Sequence, residues 1–264
     1  MKKTMAIVSV LLAAVLGLFV TGCGESKTKI GVQAGTTGEF YVKGNADMLF
    51  DGYANLDCMA YQNGGLAVNA MLNGQVDYVI IDNGPAEQLA GQIPGVKIID
   101  VALSTEQYAY GVDKNQPELL EAVNELIAEI KADGTQDELF AKYEGIEYDE
   151  DGNGVTGVTK DPANADGQLV VATNAAFAPY EYKKGDKFAG IDMEIAALLA
   201  DKLGLELVIE DMDFDAVVTS VGKNGVDIAM AGLTVSASRQ QAVNFSDPYY
   251  DGAYQVLIVK EDNT

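Results

Sequence analysis

Two rhythms of apolar positions alternate along the 264 residues. Short apolar runs with a two-residue period predict strands at Lys27–Ala34 (ending at Gly35), Leu56–Tyr61, Val76–Ile81, Val96–Val101 and Glu106–Asp113. A 3.6-residue period predicts helices at Gly64–Leu72 and Ala86–Gln92. A longer amphipathic helix is expected over Pro117–Lys131, with proline at its start and Gly134 just past its end, then a shorter one over Asp137–Tyr143. Residues 144–166 are polar, acidic and rich in glycine, the composition of a linker. Beyond them the alternation restarts: strand Gln168–Thr173, helix Ile191–Leu203, strand Leu205–Ile209, helix Phe214–Val221, strand Val226–Met230 and a last strand, Tyr254–Lys260. Strands alternating with helices build parallel α/β layers, and two such blocks around a spacer imply two lobes.

The first residues follow another pattern. Met1-Lys-Lys-Thr is a short basic stretch, Met5 to Val20 is apolar, and Val20-Thr-Gly-Cys23 follows. This is the pattern of a secretory signal over 1–22, cleaved before Cys23, whose thiol is then acylated. The residues 23–27 would tether the protein to a membrane. A transmembrane helix is the competing reading, since the apolar run is barely long enough to span. Cys58 is the other of two cysteines. With Cys23 lipidated it has no partner for an internal disulfide, and its apolar neighbours suggest a buried, inert thiol.

The net charge is −23, and −25 once Lys2 and Lys3 leave with the signal. Such acidity argues against nucleic acid or an anionic membrane surface as partner and suits an extracytoplasmic protein. Histidine and tryptophan are absent, which removes Ser-His-Asp chemistry and most zinc sites. Asp149-Glu-Asp-Gly-Asn-Gly154 has the first half of a calcium loop, but Lys160 stands where its bidentate glutamate belongs, so a solvated acidic turn is expected. No cofactor is called for. Basic residues are lysine throughout, with one exception, Arg239. A guanidinium grips a carboxylate through two parallel hydrogen bonds, as an ammonium cannot, so Arg239 is a candidate carboxylate clamp; the alternative is a solvated surface charge.

Several motifs together resemble the polar amino-acid-binding proteins that feed ABC importers, which have the two-lobed periplasmic-binding-protein type II fold. Val170-Val-Ala-Thr-Asn-Ala-Ala-Phe-Ala-Pro-Tyr-Glu-Tyr182, Gly190-Ile-Asp-Met-Glu-Ile195, Asp213-Phe-Asp-Ala216, Gly232-Leu-Thr-Val-Ser-Ala-Ser-Arg239 and Phe245-Ser-Asp-Pro248 resemble that family's N-terminal half. Lys29-Ile-Gly-Val-Gln-Ala-Gly-Thr-Thr37, Gly74-Gln-Val-Asp-Tyr-Val-Ile-Ile-Asp82 and the helices from Glu118 to Tyr143 resemble its C-terminal half. The halves stand in swapped order, so the resemblance implies a circular permutation with the old ends joined through 144–166; two half-proteins fused in error would look the same. Lobe 2 would be 28–104. Residues 105–143 would give a hinge strand and helices packed on lobe 1, and 167–264 the core of lobe 1 with the second hinge strand. A ligand would sit in the cleft between them.

The resemblance also implies roles. Arg239 would hold a ligand carboxylate, helped by the backbone N–H groups of Thr234 and Thr37, with Thr36 beside them. Asp82 would hold the ammonium, with the carbonyl of Gly232 and the Thr234 hydroxyl. Phe177 and Phe214 would sandwich the ligand's stem. Asn174 and Glu181 are candidates for specificity: asparagine at 174 weakens a basic side chain as the ligand, and Glu181 either faces inward and restores it or is solvated. The implied partners are a free amino acid, a membrane permease and the lipid anchor, the protein itself being a monomer that traps its ligand by lobe closure. Two other functions remain open: a dehydratase-like enzyme on the same scaffold, with Glu181 as its acid, and a surface sensor without transport.

Overall fold

The computed structural model describes residues 27–143 and 154–262. The first block runs β1 (Thr28–Gln33), α1 (Thr37–Lys43), β2 (Leu56–Tyr61), α2 (Gly64–Leu72), β3 (Tyr78–Asp82), α3 (Asn83–Gln92) and β4 (Val96–Ile99). Two short strands follow, β5 (Glu106–Tyr108) and β6 (Gly111–Val112), then the helices α4 (Pro117–Asp133) and α5 (Thr135–Tyr143). The second block holds β7 (Gln168–Thr173), the meander β8 (Ala176–Phe177), β9 (Glu181–Lys184) and β10 (Lys187–Ala189), α6 (Ile191–Leu203), β11 (Glu206–Asp211), α7 (Phe214–Ser220), β12 (Ile228–Ala229), α8 (Ala237–Gln240), β13 (Asn244–Phe245), β14 (Tyr250–Ala253) and β15 (Gln255–Lys260).

Among the described residues, two five-stranded sheets form, in the orders β2-β1-β3-β15-β4 and β11-β7-β12-β6-β13. The neighbours β1–β2, β1–β3, β7–β11 and β7–β12 are parallel. One strand in each sheet runs against its neighbours. β15 is antiparallel to β3 and β4, and β6 is antiparallel to β12 and β13. Each of these strands arrives from the other lobe, and β5 pairs with β14 at the crossing. β15, expected as the second hinge strand, pairs with β3 and β4 inside the first five-stranded sheet. The expected strand Glu106–Asp113 is likewise split in two, because its halves serve different sheets.

Burial explains why these segments hold. All six residues of β7 are buried, as a strand covered on both faces requires. The helix α4 buries Leu119, Val123, Leu126, Ile127 and Ile130, a single stripe at 3.6 periodicity. Its C-terminal Gly134 takes φ 88°, the left-handed conformation that stops a helix. Residues 154–160 depart from the expectation of a free linker. Val155 bridges Phe188, the Val158 N–H donates to the Leu207 carbonyl at 2.8 Å, and Lys160 pairs with Glu210 at 2.8 Å. This stretch lies along β11, an edge strand whose backbone groups would otherwise face solvent unpaired. Cys58 also departs from expectation: it is half-buried on the edge strand β2, with burial pushing its thiol up to about 11, which keeps it protonated and unreactive. Cys23, the apolar run before it and Asp149-Glu-Asp-Gly-Asn153 lie outside the described residues. Among the described residues no helix is long and apolar enough to cross a membrane, and no group of three or more carboxylates and cysteines could hold a metal ion.

Candidate functional site

The site residues collect where the parallel strands of the two sheets end. Gln33 closes β1, Asp82 closes β3, Asn174 follows β7, and Gly232 to Thr234 follow β12. In open α/β sheets the carboxyl ends of the strands leave a crevice in which ligands bind. Here the two crevices face one another and the lobes are closed. The Gln33 amide donates to Asn174 Oδ1 at 2.9 Å across the gap, and Gln62 donates to Asp213 at 2.6 Å. The Thr37 hydroxyl approaches Thr234 Oγ1 at 3.4 Å.

Arg239 is carried by α8, whose start is capped by Ser236 Oγ accepting from the Arg239 N–H. Its guanidinium is enclosed although part of the residue remains accessible. One terminal nitrogen donates to the Thr234 carbonyl at 2.7 Å and the other to the Gly35 carbonyl at 2.9 Å. The first carbonyl belongs to lobe 1 and the second to lobe 2. The guanidinium carbon also stands 5.3 Å from the centre of the Phe214 ring, a cation–π contact. Burial lowers its pKa to about 10, against the opposing pull of Glu106, Asp82 and Tyr108. The alternative of a solvated surface charge is thus overturned.

Asp82 is buried and accepts the Tyr108 hydroxyl at 2.6 Å. Burial, and then the neighbouring Glu106 carboxylate, push its pKa up to about 7, with Tyr108 and Gln255 holding it lower by hydrogen bonding. Gly232 has φ 54°, and a Cβ there would stand 3.0 Å from the Phe177 ring, so the backbone turns against that ring at a distance only glycine permits. Phe177 stacks in turn on Tyr180, ring centres 6.0 Å apart. Asn174 is fixed at both ends of its amide, accepting from Gln33 and donating to the Met212 carbonyl at 2.7 Å. Thr37 is the first residue of α1, and the Thr36 hydroxyl is turned back to the Gln33 carbonyl at 2.7 Å.

Glu181 is the exception among the candidates. It is fully buried beside Asp192, and neither of its oxygens has a well-formed hydrogen bond. Burial and then the Asp192 charge hold its pKa well above the carboxylate range, so it is a neutral acid. Asp192, itself pushed up to about 6 mainly by burial, accepts the Gly232 N–H at 2.9 Å and the Tyr110 hydroxyl at 3.2 Å. Glu181 is therefore not solvated; its carboxyl is buried against Asp192, with the Asp82 charge also felt there.

The residue that the sequence reading missed is Glu106. It is 3 % exposed, at the start of β5, and lies close enough to perturb both Asp82 and Arg239. The signal was its phase. Glu106 and Tyr108 are buried while Gln107 between them is exposed, so a carboxylate occupies the inward position of a strand. A cavity of about 430 Å³ also opens between the lobes, lined by Ile81, Pro85, Leu89, Ala176 and Tyr182 among others. Its charged groups are Lys183 and Lys184. With no carboxylate in its lining it cannot pair with an ammonium, so the cluster of opposite charges around Arg239 is the candidate site.

Residues 169–264 match the model of the bacterial extracellular solute-binding proteins, family 3. The arginine-binding extracellular protein ArtP of Bacillus subtilis is 37% identical over 94 residues, 36% of this chain and 37% of the relative. Cyclohexadienyl dehydratase of Pseudomonas aeruginosa is 32% identical over 98 residues, 36% of this chain and 37% of the relative. The chain thus spans well under half the length of these curated relatives. Among solved structures, the arginine-bound form of domain 1 from TmArgBP is 31% identical, covering 40% of this chain and 89% of that one, with a TM-score of 0.32.

Proposed function

We propose that the chain is a member of the bacterial extracellular solute-binding proteins, family 3, whose model residues 169–264 match, and that it captures a free polar α-amino acid between its lobes and delivers it to an ABC permease. The observation that carries this reading is the meeting of one enclosed guanidinium, Arg239, with the buried carboxylates Asp82 and Glu106. A zwitterion buries two charges and needs a partner for each. Arg239 would exchange its two carbonyl contacts for the ligand carboxylate, with the N–H groups of Thr234 and Thr37 alongside. Asp82, the Gly232 carbonyl and the Thr234 hydroxyl would take the ammonium. Phe177 and Phe214 would flank the stem, and the neutral amides of Asn174 and Gln33 favour an uncharged polar side chain over a basic one.

The rest of the reading concerns assembly. We place the protein outside the cytoplasm, anchored through lipid on Cys23, with lobe 2 over 28–104 plus β15, and lobe 1 over 105–143 and 167–253. A circular permutation is supported by the sheet of lobe 2. Ile30 pairs with Tyr78 and Ile258 with Val79, so the start of β1 and the end of β15 flank β3 on the same edge. At roughly 4.8 Å per strand spacing they stand about 10 Å apart, a gap that a few residues close. One observation favours a second reading, an enzyme: the Asp82 carboxyl, at about 7, is suited to proton transfer near neutral pH. Conversion of prephenate or arogenate by the purified protein would decide for it.

Calorimetry and thermal shift with the twenty common amino acids test the main reading. We expect binding at one site, a micromolar affinity corresponding to about −8 kcal/mol. No heat and no shift with any of them would overturn it.

A further inference from the structure

Glu106 lies on β5, the strand that carries the chain from lobe 2 to lobe 1, and three donors converge on it. The Ser104 hydroxyl donates to Oε1 at 2.6 Å, the Gln255 amide to Oε1 at 3.0 Å, and the Thr234 hydroxyl to Oε2 at 2.6 Å. Glu106, Thr234 and Gln255 are all buried. Gln255 opens β15, the second strand to cross between the lobes, so Glu106 ties both crossings to the Gly232–Thr234 turn.

The contact with Thr234 has a consequence for recognition. A hydroxyl has one proton and two lone pairs. Glu106 takes the proton of Thr234, and Thr37 donates to Thr234 Oγ1 from the opposite lobe. Thr234 is therefore held as an acceptor toward the gap between the lobes. A hydroxyl so committed suits an N–H donor and cannot donate to an acceptor placed there. Glu106 also sets a second acidic group close enough to Asp82 to raise its pKa.

We propose that Glu106 is a positioning residue for the ligand's ammonium: by fixing Thr234 as an acceptor and adding negative charge behind it, it makes this half of the site select a protonated α-amino group over a neutral α-hydroxyl. This rests on the amino-acid reading above and adds to it a chemical class that the site rejects, the α-hydroxy acids. Ser104 and Gln255 hold Glu106 in place, and neither needs to touch the ligand.

The experiment is a calorimetric titration of the whole protein. The twenty amino acids are screened singly, and the strongest binder is compared with its own α-hydroxy acid in the parent, Glu106→Gln, Thr234→Val and Thr234→Ser. A glutamine amide at 106 can donate to Thr234 Oγ1, which frees the hydroxyl proton to point at the ligand. Losing one charge-assisted bond corresponds to about 10- to 100-fold in affinity. Glu106→Gln should weaken the amino acid by about that much while the hydroxy acid changes less than about 3-fold, so that discrimination falls by about 10-fold or more. Thr234→Val should lose discrimination similarly and Thr234→Ser should retain it. A structural role alone would weaken both ligands alike, and equal losses overturn the proposal. Should Glu106→Gln fail to fold, the Thr234 pair decides: unchanged discrimination in Thr234→Val overturns it. A parent that binds none of the amino acids overturns the amino-acid reading itself, whereas a parent that binds and a Glu106→Gln that discriminates equally well overturns only the role of Glu106.

Discussion

Arg239 spends its two terminal nitrogens on carbonyls from opposite lobes, and its position is set by flat geometry as much as by charge. Arg239→Lys keeps the charge and loses the fork. Breaking a desolvated charge pair costs on the order of 3–5 kcal/mol, so we expect most amino-acid affinity to disappear while the melting temperature changes little. Binding within about twofold of the parent, measured by calorimetry, would remove Arg239 from the carboxylate role. Asp82 gives a pH dependence with a definite sign. Its folded pKa, about 7, lies above the ordinary 3.8, so the ligand-free protein holds a proton there that the unfolded chain lacks. That carboxyl therefore lowers stability as pH rises from about 4 to 7 and contributes no further change above. An ammonium ligand needs the ionised form. Affinity should thus level off above about pH 8, be about twofold weaker at pH 7, and fall further below it, by up to about 100-fold at pH 5. The titration of Kd against pH, with Asp82→Asn for comparison, checks this: a parent whose affinity is unchanged down to pH 5 would show that Asp82 does not face the ammonium.

At the scale of elements, the start of α6 and the strand β9 form a buried acid pair behind the cleft. Burial and then the Asp192 charge both disfavour the ionised form of Glu181 and raise its pKa. A carboxyl whose folded pKa is raised costs stability increasingly as pH rises above its unfolded value. Glu181→Gln removes that titration. We expect the variant to gain on the order of 1 kcal/mol relative to the parent at pH 8, and less at pH 5, in denaturant unfolding. If Glu181 acts only through Asp192, the variant's amino-acid affinity should stay within about threefold. A large, ligand-dependent loss of affinity would instead make Glu181 a specificity residue. The hairpins and short strands around this pair (β8, β9, β10, β13 and β14) were not legible as elements, because two to four residues are too few to establish a period.

Across the molecule, among the described residues, each five-stranded sheet is completed by a strand that arrives from the other lobe, so neither lobe closes its core alone. The ends of β1 and β15 flank Asp77, whose carboxylate accepts the Lys29 N–H at 2.8 Å. Joining Lys260 to Lys27 through a short linker and opening the chain within 144–153 should preserve every contact described here. We expect the reordered protein to unfold in one transition and to bind as the parent does, within about threefold. Opening it near Ala163 instead would release residues 154–160 from the edge of β11, and there a lower melting temperature is expected. A reordered protein that folds cooperatively but no longer binds what the parent binds would sink the idea that both halves form one cleft.

Period and punctuation in the sequence were enough for the long elements. α2 and α6 and the strands β2 and β7 lie on their expected residues, because an apolar stripe or run long enough to bury has one way to do so. The single arginine, and the carboxylate at the end of β3, were likewise visible as residue types suited to a charged ligand. Tertiary structure decided the rest. The sequence carries no mark of which sheet β15 and β6 join, since strand pairing between segments over a hundred residues apart depends on where the chain crosses. It also could not show that Glu181 is buried against Asp192, or that Glu106 is buried near Asp82 and Arg239. Each is a carboxylate on a short strand between tyrosines and polar residues, and their different environments arise only when two lobes, two crossings and the Gly232–Thr234 turn meet at one point.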